Sequence, residues 1–181
     1  MTALPAMINP GYVRTMAAYN AEMNRRLYAA AERMADADRR TGGGVFWASI
    51  HGTFNHILWA DRMWLARFQG APIPPVGMAQ SSTMIDDFDA LKAARIEADQ
   101  AISDWAAGVT DDWLAGEISW RSMVLDRDVT APCSLLATHM FNHQTHHRGQ
   151  AHALLTRAGE KTGDTDLPFV LAPEVLLEAM R

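Results

Sequence analysis

The sequence predicts an all-α protein, a four-helix bundle with a possible short β-hairpin between its third and fourth helices. Three observations predict it. Four stretches of about 23 to 26 residues read as helices, the first, second and fourth from apolar side chains on one face and the third from its cap and acidic first turn. Glycine or proline bounds these stretches. The length of 181 residues, with 49% hydrophobic and 20% charged, suits one domain whose core buries roughly 70% of the unfolded surface without disulfides. The expectation is a single domain over residues 1–181, with a bundle core at about 12–160 and a C-terminal extension at 161–181.

The first helix is read at about 13–35 from Met16, Tyr19, Met23, Leu27, Ala30 and Met34, with Glu22, Asn24, Arg25 and Glu32 turned mostly outward. Gly42, Gly43 and Gly44 end it. The second, about 45–68, carries a main apolar stripe through Phe46, Trp47, Ile50, Phe54, Ile57, Leu58, Trp64, Leu65 and Phe68, and a second stripe through Ala48, Gly52, Trp59, Met63 and Ala66. A helix apolar nearly all round is buried on two sides, by other helices or by a second subunit. Pro72, Pro74 and Pro75 break the chain next. The third helix starts at Ser82 or Thr83, with Asp86 and Asp87 in the first turn where the dipole favours anions, and runs to about Ala107. Ile118 and Trp120 then alternate with polar neighbours, and Asp126-Arg127-Asp128 reads as a turn, giving the hairpin at 117–130. Pro132 opens the fourth helix, which runs to Arg157 before Gly159; a short helix at 174–180 follows.

Composition removes several function classes. A lone Cys133 forms no internal disulfide and no thiolate zinc knuckle, and it fits a reducing cytoplasm. The first twenty residues lack a basic segment followed by an apolar run, and no stretch of 18 apolar residues occurs, so neither secretion nor membrane spanning is expected. A net charge of −5 with two lysines offers no cationic face to a phosphate backbone.

Against this background, five of the seven histidines, His139, His143, His146, His147 and His152, fall within 14 residues of the fourth helix. Residues four apart on a helix point nearly the same way, so His139 with His143 and His143 with His147 are the pairs able to converge on one ion. Leu136, Met140, Ala151 and Leu154 set the core direction and select His143 and His147 as the inward pair. Two inward imidazoles need partners, and no Asp or Glu occurs between Asp128 and Glu160. A divalent metal satisfies both rings; hydrogen bonds to Asn, Gln or backbone groups are the plainer alternative. A third ligand must come from His51 or His56 on the second helix, and spacing does not choose between them.

The segments FNHILWADRMWL and HMFNHQTHHRGQAHALLTRAG, the second containing N-H-x-x-H-H-R-G-Q, resemble the DinB family within the DinB/YfiT-like superfamily of proposed metalloenzymes. The resemblance covers roughly residues 12–160. It implies a four-helix bundle, a homodimer, and a divalent metal, zinc or nickel, held by His56, His143 and His147. Three neutral ligands leave an ion with open positions, as catalytic sites do. The wider superfamily includes transferases that use low-molecular-weight thiols such as bacillithiol or mycothiol, and proposed hydrolases. The expectation is therefore an enzyme that activates water or such a thiol toward a small electrophilic substrate. The alternative is a non-catalytic, metal-binding stress-response or interaction protein; the family's damage-inducible association also suggests nucleic acid, which the net charge disfavours.

Several residues keep two readings. His139 and Gln150 are candidates to contact substrate or orient a ligand, or are a flanking residue and an interhelical hydrogen bond. Asp61, alone among apolar neighbours, either pairs with an arginine across a helix interface or accepts from a ligand N–H. His146 packs or hydrogen-bonds at a helix interface, and Arg148 projects opposite the core. Cys133 is read as a small buried residue, and Trp47, Phe54, Trp64 and Phe68 as core or interface.

Overall fold

A computed structural model describes residues 6–122 and 125–179. Four long helices, α1 (Pro10–Glu32), α3 (Ile50–Gln69), α4 (Phe88–Ala107) and α6 (Cys133–Arg157), form the expected bundle. Each packs on two others: α1 and α3 both lie against α4 and α6. Shorter helices α2 (Asp36–Arg40), α5 (Asp111–Ala115), α7 (Leu167–Val170) and α8 (Pro173–Ala179), with a 3-10 helix at Met78–Thr83, fill the connections. The strands β1 (Glu117–Ser122) and β2 (Arg127–Pro132) pair antiparallel, with Trp120 opposite Val129. Among the described residues, no helix is long and apolar enough to cross a membrane.

Helix starts follow side-chain caps. Asn9 accepts from the Tyr12 N–H with Pro10 in the first turn of α1, three residues before the expected start. The second long helix begins at Ile50, not Val45: Ser49 caps it by accepting from Gly52 N–H, and residues 45–49 are turned back on themselves by a left-handed Ala48 (φ 66°). The third starts at Phe88, because Asp87 supplies the cap while Ser82 and Thr83 lie at the end of the 3-10 helix. Asp126, at φ 49°, sits in the hairpin turn, whereas Arg127 and Asp128 already pair with β1; Met123 and Val124 lie outside the described residues. Met180, the expected end of the last helix, also lies outside them.

The core is split. At one end Val13, Ala17, Phe68, Ile102, Met140 and Phe141 cluster; at the other, Leu27, Phe54, Leu58, Leu91, Ala151 and Leu155. Between the two clusters, midway along all four helices, the buried side chains are polar: Asn20 and Asn24 on α1, Asp61 on α3, Arg95 and Asp99 on α4, Gln144 and Arg148 on α6. Arg95 pairs with Asp61 at 2.6 Å and with Asp99 at 2.9 Å. Gln144 donates to Asp61 (2.7 Å) and Asn24 to Asp99 (2.9 Å). The Arg148 guanidinium lies 5.6 Å from the Tyr19 ring centroid. Two carboxylates against two guanidiniums leave the layer formally neutral, the condition under which buried charge is tolerable. Asn24 and Arg148 therefore face inward, contrary to the outward placement read from the apolar stripes. At these mid-helix positions polar side chains point into the bundle, so apolar period does not mark them as buried.

Candidate metal centre

The neighbouring helices α3 and α6 bring His56 to His143 and His147, which stand one turn apart. One ring nitrogen from each lies within 4.8 Å of the others. His56 Nε2 is 3.1 Å from His143 Nε2, across 87 positions of chain. Tetrahedral coordination at about 2.05 Å per bond separates ligand nitrogens by roughly 3.3 Å, so this pair is already at metal-ligand spacing. His56 and His147 are buried, and His143 is half-buried.

Hydrogen bonds fix where two of the ring protons sit. Ser81 donates its hydroxyl proton to Met78 O (2.7 Å), so its oxygen accepts from His56 Nδ1–H at 2.9 Å. The Gln150 side-chain oxygen, which only accepts, takes His147 Nδ1–H at 2.8 Å. The Gln150 amide group in turn donates to His146 Nε2 at 3.3 Å. Both bonds place the proton on Nδ1 and leave the Nε2 lone pairs of His56 and His147 free for an ion. Burial, with smaller contributions from the neighbouring imidazoles, pushes His56 and His143 down to about 3; burial also lowers His147. The rings are therefore neutral near pH 7, the state that ligates metal.

Trp47 stacks on His56 with ring centroids 3.8 Å apart and planes 22° apart. Its place is the turn before α3 rather than the helical stripe expected for it; Phe54, Trp64 and Phe68 do lie in the core. The three histidines open into a cavity of about 870 Å³, walled mainly by Trp59, Met63, Trp64, Pro74, Met78 and Trp120. Trp59 donates to Val76 O at 2.6 Å and so pins the proline-rich wall to α3.

The other candidates are sorted by their partners. His51 Nε2 donates to Ile85 O (3.0 Å), away from the cluster. His139 lies on the cavity wall, edge-on to Trp64 at 5.2 Å and 5.9 Å from the His143 ring. His152 Nδ1 meets Thr162 Oγ1 at 2.9 Å. Asp61 is held by Arg95 and Gln144, so its arginine comes from the adjacent α4. Cys133 is buried, and burial raises its thiol pKa. No sequence signal marks Ser81: it lies in the 3-10 helix beyond the proline-rich loop, where no apolar period indicates an inward position.

A family model adds an independent observation: that of the DinB family matches residues 7–178. The chain belongs to the DinB family. The three histidines implied by the family motifs are those that α3 and α6 gather. No match is found among curated proteins or solved structures.

Proposed function

We propose that this DinB-family protein is a metal-dependent enzyme in which His56, His143 and His147 hold a divalent ion, zinc or nickel, and that it acts on a small electrophilic substrate with water or a low-molecular-weight thiol as the nucleophile. One observation carries the reading: three imidazoles, two of them held as Nδ1–H tautomers, bring ring nitrogens within 4.8 Å of one another on the wall of a large apolar cavity. A purely structural ion needs no such cavity. When bound, the ion supplies Lewis acidity that lowers the pKa of a water or thiol brought to it.

The chain's own residues do the rest. Ser81 and Gln150 hold the protons of His56 and His147 and orient both rings. Trp47 covers one face of His56, and the aromatic walls limit the water around a bound substrate. His139, whose pKa burial lowers, is neutral at pH 7 and stands on the cavity wall ready to accept a proton. In this proposal the enzyme works as a cytoplasmic homodimer, as the family resemblance and the single cysteine suggest.

Metal analysis of protein purified without added metal should give about one ion per chain, lost in His143→Ala. Turnover is then sought with a panel of thiols beside a generic electrophile, and with ester and amide substrates. Chelation should abolish turnover while leaving the bundle folded, because neither core cluster includes the site. Metal-replete protein that turns over nothing, and whose melting temperature collapses on chelation, would favour a structural ion instead.

A further inference from the structure

The cavity beside the histidines has a charge asymmetry that the metal reading does not use. Among the described residues its lining contains no carboxylate and no lysine; the one permanently charged side chain on it is Arg67. Arg67 is half-buried, with its guanidinium carbon 4.8 Å from the Trp64 ring centroid and 5.3 Å from that of Trp120. These aromatic faces hold the group in place, and among the described residues nothing hydrogen-bonds its in-plane N–H donors. Many of the other arginines find carboxylates: Arg25 and Arg26 share Glu22, Arg40 takes Asp36 and Asp86, and Arg95 takes Asp61 and Asp99, whereas Arg148 is met by Tyr19 and Thr145. A partly desolvated guanidinium without an anion is unfavourable, and burial indeed lowers the Arg67 pKa.

Position on α3 gives the second half of the argument. His56, Ala60, Met63 and Arg67 follow one another at steps of four, three and four along one helix face, and all four line the cavity. The eleven-residue step from His56 to Arg67 corresponds to about 16 Å of helix axis. The cavity thus joins a cluster of imidazoles to a cation by an apolar path of roughly three turns.

The geometry points to Arg67 as an anion-recognition residue, and to a substrate class: a small monocarboxylate with an extended apolar body, its carboxylate on Arg67 and its other end at the three histidines. The orientation of that ligand rests on the proposed metal centre; the recognition of its carboxylate does not. The planar donor fork of arginine matches a carboxylate with two hydrogen bonds, and the indole walls supply the apolar contact.

Decanoate and decanol are suitable probes, titrated against the full chain and followed by tryptophan fluorescence, since Trp47, Trp59, Trp64 and Trp120 line the cavity. A charge-assisted hydrogen bond is worth about 1.5–3 kcal/mol, so decanoate should bind about 10- to 150-fold more tightly than decanol. That preference should persist in metal-free protein, shrink in Arg67→Lys and vanish in Arg67→Met. Equal binding of the two probes by the wild type overturns the proposal without needing any variant. A preference that survives Arg67→Met also overturns it, as does one that disappears on metal removal, which would put the carboxylate on the ion. Failure of the metal centre itself is read separately, from metal content.

Discussion

Ser81→Ala tests the hydrogen-bond logic of the metal centre most sharply. The hydroxyl is fully buried, accepts from His56 Nδ1–H at 2.9 Å and donates to Met78 O at 2.7 Å. Its removal leaves one buried donor and one acceptor unpaired, at about 1–3 kcal/mol for each group that water cannot reach. For a chain of this length a loss of 1–3 kcal/mol lowers the melting temperature of the metal-free protein by about 2–12 °C. The larger consequence concerns the ion. Without the serine, neither the tautomer nor the orientation of His56 is fixed, and loss of such a partner costs about 10- to 100-fold in metal affinity. Gln150 performs the same task for His147 but is half-exposed, so water can replace it and Gln150→Ala should lose less than about tenfold. Competition for zinc against a chromophoric chelator measures both variants. Wild-type affinity in Ser81→Ala, or a greater loss in Gln150→Ala, would refute the reasoning.

Arg95→Met strands two buried carboxylates and should cost about 3–5 kcal/mol in urea denaturation, whereas Asp61→Asn leaves Arg95 paired with Asp99 and should cost clearly less; equal losses would reject the mid-bundle ion network. In Gly52→Ala the new methyl meets the Trp47 carbonyl oxygen, which belongs to the backbone and yields little, so a loss of about 1–3 kcal/mol and a changed indole fluorescence are expected; an unaltered melt counts against the close approach. In metal-free protein His56 and His143 titrate at about 3, against about 6.5 when unfolded. The unfolded chain then binds more protons between those values, so this contribution to stability is full above pH 6.5 and is lost as pH falls toward 3. Urea midpoints measured from pH 7.5 down to 4 should drop accordingly, and a flat profile would contradict the burial of these rings.

Apolar period reveals α1, α3 and α6, an acidic first turn and flanking breakers reveal α4, and alternation with a turn reveals the hairpin. The helix ends are not revealed in this way, because the cap that forms decides them: Ser49 starts α3 three residues after the stripe begins at Phe46, and Asp87 rather than Ser82 or Thr83 starts α4. Periodicity also singled out His143 and His147, and the resemblance of the FNHILW segment chose His56 over His51. What stayed hidden depends on tertiary contact. Arg148 reads as a surface arginine until Tyr19 and the neutral mid-bundle layer are seen around it. Ser81 comes from a segment without regular period and Trp47 from a turn whose apolar residues read as helix, and only the folded chain brings both to His56: one as a hydrogen-bond partner, one as a stacked ring.

The mid-bundle layer shares α3 and α6 with the metal centre, which gives the layer a second consequence. Asp61 on α3 accepts from Gln144 on α6, and Gln144 is the residue next to His143. Hydrophobic contacts between helices are non-directional and tolerate small slippage. A hydrogen bond of 2.7 Å does not, since displacement of α6 by one residue moves it about 1.5 Å along its axis. Such a displacement would also separate His56 from His143, whose 3.1 Å spacing is needed for a shared ion. A polar contact buried between two apolar clusters thus fixes the register on which the ligand geometry depends, and it stands close enough in sequence to do so with little play.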